Sequence, residues 1–259
     1  MATPAADRIG PPSKALWVRE MLAWPELGAY VATMPWWGLA PRGDGHPVLV
    51  LPGLVQSDLS TRPLRRFLGW RGYEVSGWGQ GRNTGRTGFV DDALLARLRA
   101  LHEQHGRKVS LLGWSMGGLF ARDLARQMPE AVRQVITFGS PFTGPAKASN
   151  AWRLYEMLSG EQAGDPAVTA RFRGPLDVPS TSIYSRRDGI VAWQCCIDDE
   201  TQERVQNIEV VATHCGMGHH PAVLYAVADR LAQREGEWRR FEPGARARWM
   251  YPKDKETRR

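Results

Sequence analysis

The chain reads as one α/β domain: an open, mostly parallel, twisted sheet flanked by helices on both faces. Three observations predict it. Short continuous apolar runs recur along the chain, and helical amphipathic patterns alternate with them. The 259 residues suffice for one large domain and fall short of a second independent one. Residues 1–45 read as an N-terminal helical segment, 46–240 as the main domain, and 241–259 as a basic, flexible tail.

In chain order, Pro11 and Pro12 precede a stretch from Lys14 to Thr33 with Leu16, Trp17, Met21, Leu22 and Trp24 at helical spacing. Pro25 is expected to kink or divide this helix. Trp36 and Trp37 follow, and such an aromatic face usually packs on a core; a membrane-facing lid is the alternative. Pro47 to Pro52 is then a continuous apolar run, the mark of a strand covered on both faces. The signature returns at 109–112, 135–138, 181–184 and 208–211, with a weaker instance at 73–78. Helical patterns lie between, at 61–68, 90–105, 116–127 and 222–233. The rhythm breaks from Thr143 to Pro179, where one helix (150–158) is followed by Gly- and Pro-spaced polar sequence, so this insertion is the expected small cap.

Composition narrows the function classes. The net charge is +7, and the stretch from Gly244 contributes +4 of it. A solvated terminus accounts for that excess, and no interleaving of aromatic and basic residues points to nucleic acid. No run approaches the ~18 apolar residues of a membrane span, and no basic-then-apolar leader opens the chain, so a cytoplasmic protein is expected. Peripheral membrane contact stays open, as does the oligomeric state. Cys195, Cys196 and Cys215 fit no zinc spacing and read as free thiols. A bridge from Cys195 or Cys196 to Cys215 is the alternative in an oxidising compartment. No metal or organic cofactor is expected.

The chemistry is carried by Gly113-Trp114-Ser115-Met116-Gly117-Gly118, a Gly-x-Ser-x-Gly pattern between an apolar run and a helix. A serine hydroxyl becomes a useful nucleophile when a base takes its proton and the chain presents it free of neighbours. A sharp strand-to-helix turn does the presenting, and small residues at the flanking positions let strand and helix close up. The helix N-terminus also faces developing negative charge. Ser115 is therefore the expected nucleophile.

From about Gly45 to Leu231 the chain resembles the α/β-hydrolase superfamily, and within it the bacterial lipases and carboxylesterases. That resemblance implies an acid and then a histidine downstream of the serine. Asp188, in Asp188-Gly189-Ile190-Val191 after the 181–184 run, is similar to the family's acid loop; Asp198 and Asp199 are the alternatives. His214, in His214-Cys215-Gly216, is similar to the family's His-x-Gly loop, with His219 as the alternative and His220 as a third late histidine. His46, His102 and His105 read as structural.

Two backbone N–H groups are expected to hold the oxyanion: Met116, next to the nucleophile, and Leu54, in the loop Pro52-Gly53-Leu54-Val55. Pro52 stands where the family often has His. Gly139-Ser140-Pro141 resembles a Gly-Ser-Pro of several lipases and implies a cis-proline or a tight turn, without catalysis by Ser140. Arg82 and Asn83 read as turn residues that could also meet substrate. Trp114, Phe142 and Val55 are the expected pocket. The expected activity is hydrolysis of a carboxylic ester of a small molecule through an acyl-enzyme. Thioesterase or acyltransferase chemistry would use the same groups, and a non-catalytic binding protein on this scaffold is the reading from another class.

Overall fold

The computed structural model describes residues 9–253, apart from the side chains of 89–91. Six strands form one sheet: β1 (Pro47–Leu51), β2 (Glu74–Gly77), β3 (Val109–Trp114), β4 (Val132–Phe138), β5 (Ser180–Tyr184) and β6 (Val205–Glu209). Their order is β2-β1-β3-β4-β5-β6, and every pairing is parallel. All residues of β1, β3 and β4 are buried, which is why apolar residues dominate them, although Ser110 of β3 and Arg133, Gln134 and Thr137 of β4 are buried as well. The edge strand β2 is half-exposed, which explains its weaker signal.

Alternate residues of each strand feed opposite cores. Val48, Val50, Leu112, Ile136 and Ile183 pack beneath α3 (Arg62–Trp70) and α8 (Pro221–Leu231). Leu49, Leu51, Leu111 and Val135 pack beneath α4 (Thr87–His105) and α5 (Met116–Gln127).

The N-terminal segment is helical, although the division falls upstream of the proline. Helix α1 (Lys14–Arg19) passes through a 3₁₀ turn at Glu20–Leu22 into α2 (Ala23–Thr33). Pro25 is accommodated in the first turn of α2, where N–H groups have no intrahelical acceptor. Residues 1–8 lie outside the described residues. In the 143–179 insertion two helices form, α6 (Trp152–Ser159) and α7 (Pro166–Phe172), where one was expected. Asp165 caps α7 by accepting from Ala167 N at 2.8 Å, and Pro166 takes its first position. That Asp-Pro pair reads as a turn in a polar stretch, yet it starts a helix. The last strand ends at Glu209, short of the expected 211, because Val211 is already at the surface.

The C-terminal segment departs most from expectation. Phe241 and Ala247 are buried, Tyr251 packs on Phe241, and the Tyr251 hydroxyl donates to Ala222 O of α8 at 2.7 Å. Residues 241–253 are a packed strap, because their apolar residues complete the face of α8; the remainder of the expected tail lies outside the described residues. Among the described residues no helix is long and apolar enough to cross a membrane.

Deleting 241–259 should uncover α8 and cost on the order of 2–4 kcal/mol from the lost Phe and Tyr burial alone. A fall in Tm of about 5 °C or more follows, checked by calorimetry; an unchanged Tm would restore the flexible-tail reading.

Candidate active site

Five of the six strands end at one edge of the sheet with a loop that contributes to a single cluster. At the end of β3, Ser115 has φ 53° and ψ −121°, a region costly for a residue with a Cβ. Its N–H donates to Phe138 O at the end of β4, 2.9 Å away, which pins the bend to the neighbouring strand. Helix α5 starts at once, so close under β1 that a Cβ on Gly117 would lie 2.3 Å from Leu51 O. Bend and helix leave the serine side chain raised above the strand ends.

After β5, Asp188 is buried and fully engaged. Its Oδ1 accepts from Ile190 N at 2.8 Å and Val191 N at 2.7 Å, and its Oδ2 meets His214 Nδ1 at 2.6 Å. His214, in the loop after β6, is itself buried, and the Trp114 indole donates to its carbonyl at 3.2 Å. A Cβ on Gly139, next to the residue that pins Ser115, would lie 3.0 Å from His214 Nδ1, which locates the ring over the end of β4. Among the described residues Ser115 and His214 share no hydrogen bond. Burial disfavours the imidazolium, but the charge of Asp188, its hydrogen bond and the charge of Glu20 together raise the His214 pKa above the ordinary histidine range.

Glu20 and Glu26 were not legible as site residues, and they hold both loops. The Glu20 carboxylate accepts from Gly189 N at 2.7 Å, His214 N at 3.0 Å and Cys215 N at 2.8 Å. Glu26 accepts from Thr213 N at 2.9 Å and Thr213 Oγ1 at 2.6 Å. Its Oε2 would lie 1.5 Å from a Cβ on Gly216, so the glycine two residues after His214 makes room for this carboxylate. The available signal was that these two acids interrupt an otherwise apolar helical stretch.

The loop after β1 is braced from within. Val55 N donates to Asn83 O at 2.8 Å, and the buried Asn83 side chain donates to Pro52 O at 2.8 Å. Asn83 is thus a brace. Among the described residues the Leu54 N–H donates to no protein acceptor, and the Met116 N–H, first in α5, has none within its helix.

An apolar cavity of about 120 Å³ opens from Ser115, lined among others by Leu54, Met116, Phe142, Tyr155, Val168 and Phe172. Helices α6 and α7 of the insertion form part of its wall. Phe142 lies where expected, but Trp114 and Val55 do not line it. The Trp114 side chain is turned to the opposite face of β3, against Phe138 and Gly218. Val55 adopts φ 60° and is 39% exposed.

The other residues separate from the cluster. His219 donates to Ala23 O at 3.1 Å, and His220 Nδ1 accepts from Ala222 N at the start of α8. Asp198 pairs with Arg122 at 2.7 Å, and exposed Asp199 caps a turn at Thr201. Among the described residues no peptide bond is cis, so Gly139 (φ 59°) and the Phe142 N–H to Ser140 O bond make a tight turn with trans Pro141. Cys195, Cys196 and Cys215 are free thiols.

A family model described as alpha/beta hydrolase fold matches residues 46–171. The chain has the α/β-hydrolase fold. Among solved structures of this fold, it is similar to lipase B of Aspergillus fumigatus at 19% identity and a TM-score of 0.58, covering 73% of this chain and 52% of that one. The chain therefore spans about half the length of that lipase. It is also similar to a monoacylglycerol lipase of Paleococcus ferrophilus, at 14% identity and a TM-score of 0.52, covering 73% and 96%. No curated relative matches the sequence. In this chain the N-terminal segment lies before the matched region, so the carboxylates that hold the loops of Asp188 and His214 come from outside it.

Gly117→Ala should place a methyl group against the Leu51 carbonyl and displace α5 or β1. The expected loss is on the order of 1–3 kcal/mol of stability, read by denaturant unfolding. An unchanged midpoint would show that α5 moves off the sheet without penalty.

Proposed function

We propose that the chain is a serine hydrolase that cleaves carboxylic esters, with Ser115 as nucleophile, His214 as general base and Asp188 as its orienting acid. The observation that carries this reading is the buried 2.6 Å contact between His214 Nδ1 and Asp188 Oδ2, beside a serine held at a strained bend. Asp188 accepts a hydrogen bond from Nδ1–H, which keeps the proton on that nitrogen and leaves Nε2 with the lone pair. Attack of Ser115 Oγ on the ester carbonyl passes its proton to Nε2, and the imidazolium then gives that proton to the leaving alkoxide. Water then attacks the acyl carbon while His214 Nε2 takes its proton; the second tetrahedral intermediate collapses, the acyl–Oγ bond breaks, the imidazolium returns the proton to Ser115 Oγ, and the acid leaves. The carbonyl oxygen carries the negative charge of each tetrahedral intermediate between the N–H groups of Leu54 and Met116.

The lining of the cavity supports an apolar acyl or aryl group on the substrate. Phe142, Val168 and Phe172 offer no partner for a sugar's hydroxyls, the Tyr155 hydroxyl already donates to Glu161 at 2.6 Å, and Arg173 is the sole charged residue of the lining. This enzyme acts on a small molecule, and its chemistry is supplied by side chains and backbone N–H groups alone.

Turnover of p-nitrophenyl butyrate should disappear in Ser115→Ala, and Asp188→Asn should lower kcat about 10⁴-fold. A fluorophosphonate probe should label the native chain and leave Ser115→Ala unlabelled; an unlabelled native chain would establish the silent-scaffold reading.

The base works only when neutral, so kcat/KM should fall with decreasing pH along a limb centred above the ordinary histidine value of about 6.5. Glu20 raises the His214 pKa, so Glu20→Gln, which removes a negative charge, should move that limb to lower pH. A pH–rate profile of both proteins checks the sign; a limb that stays put would mean that the Glu20 charge does not reach His214.

A further inference from the structure

The N-terminal segment is amphipathic in the inverted sense. Its carboxylates, Glu20 and Glu26, face the protein and bind backbone N–H groups of the site loops. Its large apolar side chains face outward. Trp17, Met21, Trp24 and Val31 recur at intervals of three, four and seven along one helical stripe, and all four are exposed, Trp24 to 77%. Nine of the sixteen exposed large hydrophobic residues of the described chain lie between Trp17 and Leu39. A scatter of single apolar residues needs no explanation, but a stripe on one short segment does.

The stripe does not stop at the end of α2. Thr33 and Trp36 form one wall of an apolar groove of about 730 Å³, whose other wall is the C-terminal strap with Arg246, Trp249 and Met250. Trp249 is exposed to 78%. On the other flank Trp37 meets Trp70 of α3 at a centroid distance of 6.1 Å, and Arg66 of the same helix is exposed.

Charge decides what fits this surface. Between Lys14 and Arg42 the acids are Glu20 and Glu26, both directed inward, so the outward charges are cationic: Lys14, Arg19 and Arg42. From Phe241 to Lys253 the strap carries Arg246, Arg248 and Lys253 against the single acid Glu242. Exposed tryptophans bordered by cations match the boundary of an anionic bilayer, where indole rings sit at headgroup depth and Lys or Arg meets lipid phosphate. A second copy of this chain would bring the same cations against each other.

We infer that the outer face of residues 17–39, together with the Arg246–Met250 strap, docks on an anionic phospholipid bilayer. Docking places the acid and histidine loops one helix diameter, about 10 Å, from the membrane surface, because α1 and α2 lie directly on them. The inference does not depend on the proposed chemistry, since it is read by binding alone.

The test is co-sedimentation of the full chain with sucrose-loaded vesicles. Vesicles of mixed phosphatidylglycerol and phosphatidylcholine should bind it at least about tenfold more strongly than phosphatidylcholine alone. Trp24→Ser with Trp36→Ser should lower binding to the anionic vesicles by about tenfold or more, and Arg246→Gln with Arg248→Gln by about tenfold, at unchanged Tm. These side chains are exposed, so the folded state should tolerate the changes. Failure of the native chain to bind anionic vesicles would overturn the inference, as would undiminished binding by the tryptophan variant. So would a native dimer, seen by sedimentation velocity, that the tryptophan substitutions dissociate, because a second copy would then be what covers the face.

Discussion

All six strands run in the same direction, and this constraint places every functional group. In a parallel sheet each strand must be reached by a crossover, so the loops that follow the strands collect at one edge. Leu54 follows β1, Ser115 follows β3, Phe142 follows β4, Asp188 follows β5 and His214 comes after β6. Residues spread over 160 positions of sequence therefore share one end of the molecule. The strand interiors, buried on both faces, have no freedom to do chemistry; they fix the positions at which the loops begin. The strained bend at Ser115 persists because β3 is held on both sides, by β1 and β4, and because Phe138 O accepts its N–H.

The opposite end of the sheet offers a control. There His46 Nε2 meets Ser110 Oγ at 2.8 Å and His46 Nδ1 meets Asp44 Oδ1 at 2.5 Å, a hydroxyl–imidazole–carboxylate chain hydrogen-bonded throughout. Its chemistry is shut off by its surroundings. Ser110 lies inside β3, beside a register shift against β4, and both it and His46 are fully buried. Burial holds the His46 pKa down to about 4, against the upward shift at His214. The trio ties the start of β1 to the start of β3, and Asp44 also binds Arg107 and Arg133. Side-chain types and distances alone do not make an active site. Presentation at a bend, nearby N–H donors and an open pocket are what distinguish the group around Ser115.

These contrasts also explain what could be read from the sequence. A buried strand such as β1 announces itself through a continuous apolar run, and Ser115, Asp188 and His214 each sit in a short local pattern. The edge strand β2 is half-exposed and nearly mute. Trp114 and Val55 do not line the cavity because sequence neighbours of a residue at a sharp bend are not its neighbours in space: Trp114, one residue before the bend, packs across the other face of β3. Glu20 and Glu26 could not be found at all by spacing, since their partners lie 169 to 195 residues away. The strap at 241–253 was hidden by its charge, which is real but sits between the apolar residues that pack.

The N-terminal segment then has to be held by something other than apolar burial. An ordinary surface helix is anchored by its apolar stripe, whereas this segment turns much of that stripe outward and keeps Leu27, Tyr30 and Trp37 as its main inward contacts. Its attachment over the site includes five hydrogen bonds to two carboxylates, three at Glu20 and two at Glu26, beside the His219 bond to Ala23 O. Bonds to charged groups contribute about 1.5–3 kcal/mol each when made, and burial of Glu26, which raises its pKa despite those bonds, subtracts from the total. Such an attachment is directional. A rotation of α2 about its axis would draw Glu26 away from Thr213, and a shift of the turn at Glu20 would release Gly189 and His214 together. The geometry of the acid and histidine loops is therefore tied to the orientation of the one segment that presents tryptophans to the outside.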